Sequence, residues 1–168
     1  MNAMRRAGAK ARAEGKDKGW NAMTSSYPPS IRLLVVDDDD QMRCTLVNRF
    51  ERQGMTVTEA ASGEEALAKA PEARCDVALL DLHLPGIGGI ELLSKLKESR
   101  PDLEAIMLTA HSSVETASFA KKCGAYDYLV KPVHLRDLEI HLHKAFEKVQ
   151  LTRRERQLAR KLHAESPW

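Results

Sequence analysis

No apolar run in this chain approaches the roughly 20 residues needed to cross a bilayer. The longest apolar stretches, around Leu33–Val36, Val77–Leu80 and Ile106–Leu108, have the length of buried strands. The N-terminus is basic but has no apolar segment behind it, so it does not read as a secretory signal peptide. Cysteine is scarce: Cys44, Cys75 and Cys123 stand singly, without a CxxC pair. An odd, dispersed set argues against a disulfide framework or a zinc site and fits small buried thiols in a reducing cytoplasm. His134, His141, His143 and His163 have no metal-ligand spacing. Neither sign of charge dominates, with 26 Lys and Arg against 24 Asp and Glu. The 168 residues suffice for one domain with a real core, plus tails.

Residues 1–30 form a compositional block of their own. Arg5, Arg6, Lys10, Arg12, Lys16 and Lys18 outnumber Glu14 and Asp17, large apolar residues are nearly missing, and the block ends in Tyr27-Pro28-Pro29-Ser30. Such a segment buries too little surface to offset its ordering entropy. It is expected to be a disordered basic arm, with Met23 an alternative start. A basic arm can touch nucleic acid, but without interleaved aromatics it reads as a solvated tail.

From Ile31 onward, strand and helix patterns alternate. Ile31–Val36 is an apolar run broken by one arginine, which suits a strand covered on both faces. Asp40 to Gln53 carries Met42, Leu46, Val47 and Phe50 at helical spacing and is stopped by Gly54, with Asp39 and Asp40 placed to cap it. Met55–Glu59 alternates as a short strand. Ser62-Gly63-Glu64-Glu65 reads as a capping box opening a helix through Ala66, Leu67 and Ala70. Asp76–Leu80 is a buried strand, followed by a Pro-Gly loop and a helix containing Leu92, Leu93 and Leu96. Glu104–Thr109 is a strand, and Ser112 or Ser113 caps a helix running to Cys123 and Gly124. Tyr126–Val130 is the last strand, and a final amphipathic helix starts near His134. Five strands alternating with five helices predict an α/β fold, a doubly wound parallel sheet flanked by helices on both faces.

In such sheets function collects beyond the carboxyl ends of the strands. Asp37 and Asp38 follow the first strand, Asp81 the third and Lys131 the fifth, while Thr109 ends the fourth. All five are predicted to project from one edge. Three close carboxylates repel one another and raise one another's pKa values. A hard divalent cation such as Mg²⁺ removes that penalty and commonly bridges carboxylates to a phosphate. A lysine and a threonine then supply positive charge and a donor for phosphoryl oxygens, and aspartate is a known nucleophile that forms acyl phosphates. Taken singly, Asp81 is a turn residue, Lys131 a surface lysine and Asp37–Asp40 a solvated loop or cap. Only the joint placement points to phosphoryl transfer onto a carboxylate.

These residues carry a family resemblance. Leu33-Leu34-Val35-Val36-Asp37-Asp38, Asp81-Leu82-His83-Leu84-Pro85-Gly86, Leu108-Thr109-Ala110 and Gly124-Ala125-Tyr126-Asp127-Tyr128-Leu129-Val130-Lys131-Pro132 resemble the receiver domain of two-component response regulators. The likeness covers residues 31–148 and implies a flavodoxin-like sheet of strand order 2-1-3-4-5. It implies that Asp81 accepts phosphate from a histidine kinase or phosphotransfer protein. Asp38, Asp81 and the backbone carbonyl of His83 would ligate Mg²⁺, with Asp37 acting mainly through water. Lys131, Thr109, Ala110 and His83 would surround the phosphate, and Tyr128 would turn inward as Thr109 moves. The Lys131–Pro132 bond is expected to be cis. His83 and His111 occupy positions that in this family tune phosphate lifetime, though both also read as ordinary loop histidines. Gly88 stands where many relatives have Asp. The receiver would catalyse its own phosphorylation and slow dephosphorylation rather than turn over a substrate.

Residues 149–168 read as a basic helical extension or tail, with Leu151, Leu158 and Leu162 among Arg153, Arg154, Arg156, Arg160 and Lys161. A weak homodimer, a partner-binding helix and a frayed tail all remain open, and no room is left for a helix-turn-helix. The neighbourhood of Lys131 and the segment Ser112–Cys123 also resemble receivers that head enhancer-binding regulators. Two other readings compete with the receiver. One is a binding module that works without phosphorylation, disfavoured by the intact set of five. The other is a phosphohydrolase, which commonly has a second aspartate where this chain has His83.

Overall fold

The structure is a computed structural model that describes residues 30–111 and 113–165. The expected arm before Ser30, the alternative start at Met23 and the alternative cap Ser112 lie outside the described residues. The chain runs β1 (Arg32–Val36), α1 (Asp40–Glu51), β2 (Thr56–Ala60), α2 (Gly63–Ala73) and β3 (Val77–Asp81). It continues through α3 (Gly89–Ser99), β4 (Glu104–Thr109), α4 (Val114–Lys122), β5 (Asp127–Val130) and α5 (Leu135–Glu165). The five strands form one parallel sheet in the order β2-β1-β3-β4-β5, as the resemblance implied.

The period-2 alternation of the central strands divides the core in two. Leu34, Val36, Ala78, Leu80, Ala105 and Met107 face one side, where α2, α3 and α4 contribute Ala66, Ala70, Leu92, Leu93, Leu96 and Ala120. Leu33, Val35, Val77, Leu79, Ile106 and Leu108 face the other, against Leu46 and Phe50 of α1 and Leu138, Leu142, Ala145 and Val149 of α5. Continuous apolar runs are required here because both faces of the central strands are covered. The edge strands β2 and β5 are only partly buried.

Local capping follows the side chains. Asp39 caps α1 by accepting from the Gln41 and Met42 amides, leaving Asp40 as the first helical residue. Ser62 caps α2 by accepting from the Glu65 amide at 3.1 Å. The capping box closes one residue early, however: the Glu65 carboxylate reaches back to the Ala61 amide at 2.8 Å. Of the two serines considered for α4, Ser113 is its cap. The cysteines are free, but only Cys75 is buried. Cys44 is exposed on α1, which corrects the expectation of three buried thiols; it lies on the solvent side of the helix, opposite the Leu46 and Phe50 stripe. No helix of the described residues is long and apolar enough to cross a membrane.

The helix α5 is continuous from Leu135 to Glu165, so no break falls at residue 148. Val149 is fully buried, whereas every residue from Arg154 to Glu165 is exposed.

The start of α3 abuts the end of β3. A Cβ on Gly89 would lie 2.2 Å from the Asp81 carbonyl oxygen, so only glycine allows this approach. The preceding Gly88 is the N-cap of α3 in extended geometry, makes no side-chain cap bond and has open space around its Cβ position. Replacing it with aspartate adds a cap and stiffens the unfolded chain. Gly88→Asp is expected to stabilise the protein by about 0.5–1 kcal/mol, read as a higher denaturant midpoint with unchanged slope.

Candidate functional site

Parallel pairing in register brings the carboxyl ends of the strands to one edge of the sheet. Asp37 and Asp38 directly follow β1, Asp81 closes β3, Thr109 closes β4, and Lys131 follows β5. One carboxylate oxygen from each of Asp37, Asp38 and Asp81 lies within 4.8 Å of the others. Asp37 and Asp81 are buried, and Asp38 is exposed at the mouth.

The Lys131 ammonium enters from the far side. Its Nζ donates to Asp37 Oδ2 at 2.7 Å and to Asp81 Oδ2 at 3.4 Å. The other oxygens are held by backbone: Asp37 Oδ1 accepts from the Asp39 amide at 2.9 Å, and Asp81 Oδ1 from the His83 amide at 3.1 Å. Arg43 of α1 donates to the Asp37 carbonyl at 2.8 Å and fixes the β1–α1 turn. The peptide bond between Lys131 and Pro132 is cis.

Burial raises the Asp81 carboxyl above the usual carboxylate range, and the Asp37 charge adds to it, against the His83 amide and Lys131. Burial pushes the Lys131 ammonium down, but its bond to Asp37 and the two neighbouring negative charges more than offset this and leave it raised. Three carboxylates against one ammonium leave two negative charges unbalanced. A converging set of carboxylate oxygens with that surplus fits a small, hard divalent cation.

Asp81 also borders an open cleft of about 530 Å³ between the loops after β3 and β4, lined by His83, Ala110, His111, Ser113 and Thr116. His83 and Ala110 are exposed at its rim. The His83 and His111 rings meet edge to face, with centroids 5.7 Å apart.

Thr109 is wholly buried, and its Oγ1 accepts from the His111 amide at 3.2 Å. The half-buried Tyr128 donates its hydroxyl to the His111 carbonyl at 3.0 Å. Backbone groups of one residue thus connect the two side chains expected to form a switch. Sequence reasoning marked His111 as a position that tunes phosphate lifetime or an ordinary loop histidine but did not see this link, because backbone bonding leaves no residue signature. It also missed Glu64, whose carboxylate accepts from the Ile87 amide at 2.9 Å and ties the loop after β3 to α2. The two residues are 23 positions apart and share no motif.

Comparison with known proteins agrees with this geometry. The family model described as the response regulator receiver domain matches residues 33–143. The regulatory protein AtoC of Escherichia coli is 33% identical over 137 residues, covering 82% of this chain and 30% of AtoC. The transcriptional regulatory protein ZraR of Escherichia coli is 40% identical over 117 residues, covering 69% of this chain and 26% of ZraR. The chain therefore spans less than a third of the length of these relatives. Among solved structures, a CheY-like receiver domain protein from Methanospirillum hungatei superimposes with a TM-score of 0.66 at 37% identity, covering 75% of this chain and 98% of that one. NtrX from Brucella abortus gives 0.70 at 30% identity, covering 75% and 29%. Strand order, sheet edge and family match agree, and this chain belongs to the response-regulator receiver family.

Proposed function

We propose that this chain is a phosphorylation-dependent signalling receiver in which Asp81 is the phosphoacceptor. The observation that carries the reading is the position of its carboxylate: lining the cleft, beside Asp37 and Asp38, and within reach of Lys131. The donor is the phosphohistidine of a sensor kinase or phosphotransfer protein. An Asp81 oxygen attacks phosphorus and forms the acyl phosphate as the donor's P–N bond breaks. The electron pair leaves with the imidazole nitrogen, which takes up a proton. Asp37, Asp38 and Asp81, with the His83 carbonyl, are the residues that would hold Mg²⁺. That ion supplies charge neutralisation for the phosphoryl oxygens.

The protein's own groups do the rest. Lys131 keeps its ammonium directed at the phosphoryl oxygens. Ala110 lines the cleft with Asp81 and its amide is a donor for the phosphoryl group, while the buried Thr109 beside it contributes its hydroxyl. Turning the Thr109 hydroxyl toward the phosphate gives up its bond to the His111 amide, and His111 also holds Tyr128. Phosphate therefore biases a two-state surface through groups already connected in the unphosphorylated chain.

A second copy of the chain is the proposed partner of α5. At about 100° per residue, the exposed Ile140, Leu151, Leu158 and Leu162 fall within about 40° of one another, opposite the face that packs on the sheet. An apolar stripe on the outward side of a long helix supports self-association.

Incubation with Mg²⁺ and acetyl phosphate is expected to add the mass of one phosphoryl group to the intact protein. The adduct should be lost in Asp81→Asn and on chelation of the metal. Lys131→Ala is expected to slow labelling by about 100-fold or more. Failure of every donor to label folded wild-type protein overturns the reading. Leu158→Glu is expected to shift a concentration-dependent dimer to monomer in light scattering while leaving labelling at Asp81 unchanged.

A further inference from the structure

The strands that carry the acidic pocket at one end carry a second charged cluster at the other. Asp76 immediately precedes β3, five residues before Asp81, and its side chain is only 2% exposed. Its carboxylate is fully engaged. Oδ2 accepts from the Arg32 amide and Nε at 3.0 and 3.2 Å, and Oδ1 accepts from Arg32 Nη2 at 2.9 Å. A further guanidinium arrives from α5: Arg153 Nη1 lies 2.8 Å from Asp76 Oδ1, while its Nε donates to Asp102, in the turn before β4. Burial pushes Asp76 up, but the bonds from Arg32 and Arg153 outweigh it and hold the carboxyl below the usual range. Asp102 is likewise held low by Arg153 against the effect of its burial.

Arg153 lies one helical turn beyond Val149, the last fully buried residue of α5, and residues 154–165 are exposed. The projecting segment, residues 154–165, is at the length where an isolated helix is marginal in water, about 12–15 residues. It therefore needs a preformed turn to grow from, held in place by contacts to the body. We propose that Arg153 is a clasp: by bridging Asp76 and Asp102 it pins the last docked turn of α5, so that the extension leaves the sheet edge opposite Asp81 as a rigid helix in a fixed direction. Arginine suits the role because Nη1 and Nε of one planar fork meet Asp76 and Asp102 separately, whereas a lysine would have to serve both from a single nitrogen on a shorter side chain. The clasp operates whether or not a second copy binds the extension. If one does, Arg153 presents Leu151, Leu158 and Leu162 to it on a stiff arm.

Hydrogen exchange of the full chain, read by mass spectrometry peptide by peptide, tests the clasp. Arg153→Ala is expected to speed exchange over residues 150–165 by about tenfold or more, while β1, β3 and β4 stay within about twofold of wild type. Arg153→Lys should behave like the alanine variant, Asp102→Asn should give a smaller acceleration in the same segment, and the exposed neighbour Arg154→Ala should give none. Asp76 retains Arg32 in all of these variants, so the body is expected to stay folded, checked by an unchanged circular dichroism spectrum. Unchanged protection over residues 150–165 in Arg153→Ala overturns the proposal. So does acceleration spread evenly through β1 and β3, which would make Arg153 a general stabiliser of the sheet. The exchange result does not depend on dimerisation, and loss of labelling at Asp81 in wild type would leave it untouched.

Discussion

The Lys131 ammonium, bound to Asp37 at 2.7 Å and reaching Asp81 at 3.4 Å, is what allows a cluster of carboxylates to sit at the edge of an apolar sheet. Two of those carboxylates are buried, and without a cation their repulsion and desolvation would be relieved only by protonation or local unfolding. Backbone amides from Asp39 and His83 satisfy the remaining oxygens, so the turns after β1 and β3 are shaped by the carboxylates as much as they shape them. The arrangement is still short of positive charge. That deficit is the physical basis for the proposal that the pocket takes up a divalent cation, whose charge would in turn tolerate a phosphoryl group.

Chemistry at one carboxylate becomes a signal only if something nearby has two arrangements. His111 provides the connection, with its amide held by Thr109 and its carbonyl held by Tyr128. The helix that follows is lightly attached: Ala120 is the buried residue of α4, while Val114 and Phe119 are exposed. In the proposed switch, a change in the Thr109 hydroxyl would act on an element with few apolar contacts to resist it. The opposite edge of the sheet is built differently, with Asp76, Asp102, Arg32 and Arg153 tying three chain segments and α5 together. In that proposal one edge changes and the other holds.

Much of this was legible in the sequence. Apolar runs at Leu33–Val36, Val77–Leu80 and Ile106–Leu108 determined the buried central strands, because only residues covered on both faces can be apolar without alternation. The helices followed from 3.6-residue spacing and from caps such as Asp39 and Ser62. Alternating elements implied a parallel sheet, and a parallel sheet forces the residues after each strand to a common edge. The gathering of Asp37, Asp38, Asp81, Thr109 and Lys131 was therefore implied before any coordinates. Element boundaries were less sharp, since β1, β2, β3 and β5 each start one residue later than their patterns suggested.

Contacts between residues distant in sequence were decided only by the tertiary structure. Nothing local marks Glu64 as the acceptor for Ile87, His111 as the link between Thr109 and Tyr128, or Arg153 as the partner of Asp76. The sequence also left the segment after residue 148 open between helix and tail. Residues 149–165 are helical because Val149 and Arg153 dock on the body and hold a turn from which the rest extends. Periodicity and strand-end placement are one-dimensional properties, so the chain by itself determined the fold and the chemistry of its pocket. The couplings that hold the pocket, link the switch and aim the last helix depend on side chains meeting across the sheet, and only the packed structure brings them together.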